Sequence, residues 1–138
     1  MAGLIQFELV TPEELLFSKS VEFAVVPGSE GDFGVLPGHA PFVSELRTGV
    51  LKVYENGQVD KRLFVSVGFA EVTNEKCVVL AEEALEIESV NIEDVQKRIE
   101  KNRLAIREAG DEIERAAASA ALNISEALLS EVKATKSA

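Results

Sequence analysis

The sequence predicts a β + α chain: an N-terminal antiparallel β-sandwich, or flattened barrel, followed by a C-terminal antiparallel αα-hairpin. Three observations predict it. As far as about residue 87, apolar and polar residues alternate in short runs, the period-two signature of half-buried strands. Between two such runs, Asn56-Gly57 marks a tight hairpin, because both residues tolerate the positive φ of a type I′ turn. From Asn91 onward proline is absent, glycine occurs once, at Gly110, and apolar residues recur every three or four positions. The expected division is 1–87 for the sandwich and 88–138 for the hairpin.

Residues 4–10 open the first part, with Gln6 and Glu8 alternating with Ile5, Phe7 and Leu9 until Thr11-Pro12 stops the run. Residues 21–26 follow, with Val21, Phe23 and Val25 on one face. The run GSEGDFGVLPGHAP at 28–41 then holds four glycines, two prolines and the only histidine, His39. Glycine permits positive φ and close backbone approach and proline fixes φ, so this reads as a shaped, rigid protruding loop. Further strands are expected at 42–45, 50–54, 62–66, 69–73 and 76–81, separated by Thr48-Gly49, Asn56-Gly57 and Thr73-Asn74. No helix fits between them, so the pairing should be largely antiparallel.

In the second part Asn91 is placed to N-cap a helix whose first turn carries Glu93 and Asp94, where the dipole favours acids. Ile92, Val95, Ile99 and Ile106 fall on one stripe. Gly110 is expected as the C′ residue and Asp111 as the next N-cap. Ile113, Ala117, Ala121, Ile124 and Leu128 then form a second stripe, and the small residues at 116–121 would let two helices approach closely. The tail after Lys133 is expected to fray. Both stripes are narrow, so the hairpin should be mobile and should lean on the sandwich or on another protein.

Composition limits the function. The 138 residues are 46% hydrophobic, as in a globular protein, and no run approaches the length of a membrane span. The N-terminus shows neither the basic nor the long apolar region of a signal peptide, and one cysteine, Cys77, allows no internal disulfide; both point to the cytoplasm. A net charge of −10 excludes a general nucleic-acid binder. The charge is uneven: residues 1–90 balance to −9 and residues 91–138 to −1. Lys97, Arg98, Lys101, Arg103 and Arg107 lie close together in the second part, and they read equally as a solvated face or as a contact for an acidic protein.

Chemistry finds little to work with. A single histidine without cysteine partners makes no zinc constellation, so no metal is expected. A Ser–His–Asp site would need Ser44 or Ser66 beside His39 and Asp32, yet no G-x-S-x-G elbow is present. Gly28, Gly31 and Gly34 lack the spacing and the lysine of a phosphate loop, and Glu30 and Asp32 would repel a phosphate. Glu82, Glu83, Glu86 and Glu88 read as a solvated linker, and Cys77 as a structural residue. His39 is expected as a turn residue bonded to backbone or as part of a contact surface.

Taken in order, Phe7-Glu8-Leu9-Val10-Thr11-Pro12, the 28–41 run, Arg47-Thr48-Gly49-Val50-Leu51, Val67-Gly68-Phe69-Ala70-Glu71-Val72 and Val78-Val79-Leu80-Ala81-Glu82 resemble the epsilon subunits of bacterial F-type ATP synthases, counterparts of the mitochondrial delta subunit. The resemblance covers essentially the whole chain. It implies a non-catalytic rotor subunit of the central stalk, without cofactor, coupling c-ring rotation to ATP synthesis. It implies a sandwich that binds the gamma subunit and the polar loops of the c-ring, with Glu30, Asp32 and His39 as c-ring contacts. It implies a hairpin that lies folded or extends along gamma, where Lys97, Arg98, Lys101, Arg103 and Arg107 would meet the alpha and beta catalytic subunits and inhibit hydrolysis. The implied location is the cytoplasmic face of the bacterial inner membrane, reached only through the complex.

The chain departs from the family in one place. Some members bind ATP through an [IL]-D-x-x-R-A motif at the first helix, and here the segment reads Ile92-Glu93-Asp94-Val95-Gln96-Lys97. Gln96 replaces the arginine that would hold phosphate bidentately, and Lys97 is a point charge one residue out of register. ATP binding is expected to be weak or absent. Two other classes remain as rivals: a binding module for an unrelated partner, and a small enzyme built on His39.

Overall fold

Eight strands arise from the first part: β1 (Ile5–Val10), β2 (Leu15–Val21), β3 (Phe23–Gly28), β4 (Gly31–Val35), β5 (Phe42–Glu45), β6 (Gly49–Glu55), β7 (Gln58–Val72) and β8 (Lys76–Glu86). The computed structural model describes residues 3–137. The strands form one continuous sheet in the order β2-β1-β8-β7-β6-β3-β4, with β5 paired to β7 beside this path. All pairings are antiparallel except β1 with β8, which are parallel. A parallel pair needs a long connection, and here all the intervening strands supply it.

Alternation places the core. Ile5, Phe7 and Leu9 of β1, Leu51 and Val53 of β6, Leu63 and Val65 of β7 and Cys77 and Val79 of β8 are buried in one cluster. The longest strand, β7, serves two partners on the same edge: β6 pairs as far as Val65, and β5 pairs from Phe69 to Val72. The corner lies between, at Val67, which has φ 49°, and Gly68. A Cβ on Gly68 would stand 1.8 Å from the Leu80 carbonyl oxygen, so only glycine lets β7 pass this close to β8. Such a bend lets one strand belong to both layers of a sandwich.

Several expectations are corrected here. The separate strands expected at 62–66 and 69–73 are one strand bent at its middle. The strand β2 had no alternation to reveal it; Leu15 and Leu16 are exposed, and pairing with β1 makes the strand. The 21–26 run is divided: Val21 closes β2, while in β3 the buried residues are Ala24 and Val26 rather than Phe23 and Val25. Glu82, Glu83 and Glu86 belong to β8, not to a linker, because that stretch continues the ladder with β7 through Ser66↔Glu83 and Leu63↔Glu86.

The chain divides into two compact units, at Glu86 and Ile87. The second unit holds a 3-10 turn (Ile87–Ser89), α1 (Ile92–Arg107) and α2 (Glu112–Ser137). Asn91 caps α1 as expected, its side chain accepting from the Glu93 N–H at 2.8 Å and the Asp94 N–H at 3.3 Å. Asp111 caps α2 by accepting from the Glu114 N–H at 2.8 Å, and the Glu114 carboxylate accepts from the Gly110 N–H. Gly110 itself is not in the left-handed region; α1 ends at Glu108 in a right-handed conformation. The helix α2 runs past Lys133 to Ser137, and Lys-Ala-Thr-Lys contains no breaker.

The seam of the hairpin also differs. Val95 and Ile99 are buried on α1, as expected. On α2 the buried positions are Ser125, Leu128 and Val132, flanked by half-buried Ala118, Ala121, Leu122 and Leu129; Ile113 is 83% exposed and Ala117 is exposed. A stripe read in apolar residues alone drifts off a seam whose central residue is a serine.

Candidate functional site

The 28–41 run is not one loop. Its first residues finish β3 and its middle forms β4, so Ser29 and Glu30 make the turn of a β-hairpin whose register pairs Gly28 with Gly31. Gly31 has φ 131° and Gly38 φ 81°, conformations that favour glycine. Gly28 and Gly34 answer a different need. A Cβ on Gly28 would meet the Gly31 carbonyl oxygen at 2.8 Å and the Phe33 ring at 2.9 Å, and one on Gly34 would meet the Phe23 ring at 2.8 Å. These glycines make room for aromatic side chains lying across the strands.

The hairpin is fastened on several sides. Arg47 Nη1 donates to the Gly28 carbonyl at 2.8 Å, and Nη2 donates to the Asp32 carboxylate. The Ser29 N–H donates to Glu45 O and the Arg47 N–H to Pro27 O, both at 2.9 Å. Further along, the Gly38 N–H donates to Asn74 O at 2.8 Å in the β7–β8 turn. His39 Nδ1 lies 2.7 Å from Ala40 O, a carbonyl that only accepts, and its ring stands 5.0 Å from that of Phe42. Phe42 in turn meets Phe33 edge-on at 4.9 Å.

The three expected contact residues therefore differ. Asp32 is tied to Arg47, and His39 is half-buried and bonded to its neighbour's backbone. Glu30 is exposed at the hairpin turn and, among the described residues, carries no hydrogen bond or ion pair. The serines considered for catalysis are not assembled with His39: Ser44 Oγ donates to Glu45 O, and Ser66 is buried on β7. Burial pushes the Cys77 thiol up to about 12, so it stays protonated between Phe7 and Val72.

In the helical unit the five expected bases separate into two groups. Lys97, Lys101 and Arg107 are exposed. Arg103 pairs with Glu100 at 2.7 Å and with Glu126 at 3.6 Å. Arg98 is half-buried, and its Nε donates to Ser125 Oγ at 2.8 Å. At the start of α1, Glu93 and Gln96 stand exposed, and Ile92 is half-buried. Gln96 borders a groove of about 320 Å³ with Ile99, Glu100, Arg103 and Leu129. Sequence reasoning missed Arg47 and Ser125. Arg47 carries no local signal beyond its motif, and a serine within an apolar stripe is the available signal for the second.

Comparison with known proteins follows the same division. The family model for the β-sandwich domain of the ATP synthase delta/epsilon chain matches residues 4–87. The ATP synthase epsilon chain of Rhodospirillum rubrum is 50% identical over 129 residues, covering 94% of this chain and 96% of that one. A solved chain from the Euglena gracilis mitochondrial ATP synthase (OSCP/F1/c-ring) aligns with a TM-score of 0.76 and 29% identity over 96% of this chain and 83% of that chain. A chain from the Tetrahymena thermophila mitochondrial ATP synthase central stalk/c-ring shares the fold, with a TM-score of 0.57 and 11% identity over 91% of this chain and 96% of that chain. The family model spans more than half of the chain and the epsilon-chain relative covers 94% of it, so the chain belongs to the ATP synthase delta/epsilon family.

Proposed function

We propose that this chain is the non-catalytic central-stalk subunit of a proton-translocating F-type ATP synthase, at the cytoplasmic face of a bacterial inner membrane. The observation that carries the reading is the 50% identity to an ATP synthase epsilon chain across both structural units. The sandwich would dock on the gamma subunit and the polar loops of the c-ring, coupling c-ring rotation to synthesis. The fastened 28–41 segment supports this, because a part that passes torque must not yield, and Arg47, Ser29 and Gly38 tie it to two neighbouring segments, 45–47 and the β7–β8 turn. The hairpin would act on hydrolysis through Lys97, Lys101 and Arg107, whose exposed charges orient an acidic partner more than they add affinity.

The test compares ATP hydrolysis and proton pumping in the assembled complex with and without residues 88–138. Faster hydrolysis with pumping intact identifies the hairpin as a brake. Equal hydrolysis removes the inhibitory role, and failure of the full chain to bind purified gamma removes the stalk assignment altogether. We further infer weak or absent ATP binding at the hairpin, from Gln96 and the acid beside it. Millimolar ATP should leave the amide shifts of residues 90–110 in place; saturable shifts there would refute this.

A further inference from the structure

Ser125 is the only fully buried polar side chain among the described residues of the helical unit. It stands in the seam between Leu122 and Leu128, where packing alone would place an apolar residue. Its hydroxyl accepts from Arg98 Nε at 2.8 Å and directs its one proton to Asn102 Oδ1 at 2.5 Å or to Ala121 O at 3.0 Å. Arg98 and Asn102 lie one turn apart on α1. A single hydroxyl on α2 meets both in only one register of the two helices.

We propose that Arg98, Ser125 and Asn102 form a register lock that also governs opening of the hairpin. Sliding α2 by one turn would set Leu122 or Leu129 against Arg98 and Asn102 and carry the Ser125 hydroxyl into apolar contacts. Either arrangement strands polar groups, so the slipped forms are disfavoured. Full separation is treated differently, because water can solvate all three side chains at once. The complete triad is thus specific when closed and easier to open than a seam apolar at all three positions, whereas removing one member alone strands the others. The three residues together give up cohesion at one layer of the seam to obtain a hairpin that closes in one way and still releases. The inference rests on the reading of the hairpin as a regulatory element.

Amide hydrogen exchange on the full chain tests it. Ser125→Ala should raise exchange roughly tenfold through residues 95–102 and 118–132 together, as expected for loss of a hydrogen bond to a charged group, and leave the sandwich amides unchanged. Arg98→Ala should act in the same direction, and the double variant should fall short of the product of the two singles. Asn102→Ala should have a smaller effect, because the serine proton can pass to Ala121 O; it is also the variant to measure if Ser125→Ala melts the hairpin outright. Unchanged exchange in Ser125→Ala, or a double variant equal to the product of the singles, overturns the lock. Hydrolysis by the assembled complex separates the two ideas. Faster exchange with altered inhibition supports both, whereas faster exchange with unaltered hydrolysis supports the lock and removes the regulatory reading.

Discussion

Gly68→Ala places the largest demand on the sandwich for the smallest chemical change. The added carbon would stand 1.8 Å from Leu80 O and 3.0 Å from the Ala81 Cα, against backbone that cannot turn aside as a side chain can. The two strands must separate by more than an ångström at the Gly68↔Ala81 pair. That also disturbs the Leu46 N–H, which donates to Gly68 O at 2.9 Å. Two or three ladder bonds at about 1 kcal/mol each, with the strain of overpacking, amount to about 2–4 kcal/mol. For a unit of this size about 3 kcal/mol lowers the midpoint by more than about 12 °C. Tyr54, the only tyrosine in a chain without tryptophan, lies on β6 and reports the sandwich by its fluorescence. A thermal midpoint within about 2 °C of the parent would refute the close approach of β7 and β8 and the corner built upon it.

Other expectations are smaller. Asn91→Ala removes the acceptor for two N–H groups and should cost about 1 kcal/mol, seen as faster amide exchange in the first turn of α1. Cys77 should resist a thiol reagent at pH 8 until the chain unfolds. Because its thiol titrates near 12 when folded and near 9 when unfolded, the unfolded chain binds fewer protons between these values; stability should fall as pH rises through that window in urea titrations, and Cys77→Ser should flatten the fall. Asp32→Asn should change the urea midpoint little, since an exposed pair contributes at most about 1 kcal/mol, while Arg47→Ala also loses the Gly28 carbonyl and should cost about 1–2 kcal/mol. Equal costs for the two would remove the distinction.

Where one residue dictated its own environment, the sequence was a sufficient guide. Alternation located β1, β6 and β8, Asn56-Gly57 located the hairpin between β6 and β7, and Asn91 and Asp111 located both helix starts. The failures share a cause: pairing and packing across the chain. The strand β2 exists because β1 offers an edge, not because LLFSKSV alternates. The corner at Val67-Gly68 depends on Leu80, distant in sequence, and left no local sign that the two halves of β7 are continuous. The seam of the hairpin passes through Ser125, whose place is legible only when Arg98 and Asn102 face it.

The 28–41 run carries the same lesson to the candidate site. Four glycines and two prolines suggested a loop, because flexibility and turns are glycine's commonest uses. Only Gly31 and Gly38 are used in that way; Gly28 and Gly34 lack side chains so that Phe33 and Phe23 can lie across the strands. Glycine that makes room for a ring stiffens a segment. The outcome is an edge hairpin with its guanidinium strap at Arg47 and its histidine turned back on its own backbone. Asp32 is already engaged by that strap through Oδ1 and His39 by Ala40 through Nδ1, so each offers a partner only its remaining polar atom. Glu30, exposed at the turn, offers its whole carboxylate. The proposed c-ring contact therefore concentrates on one carboxylate held by a rigid base.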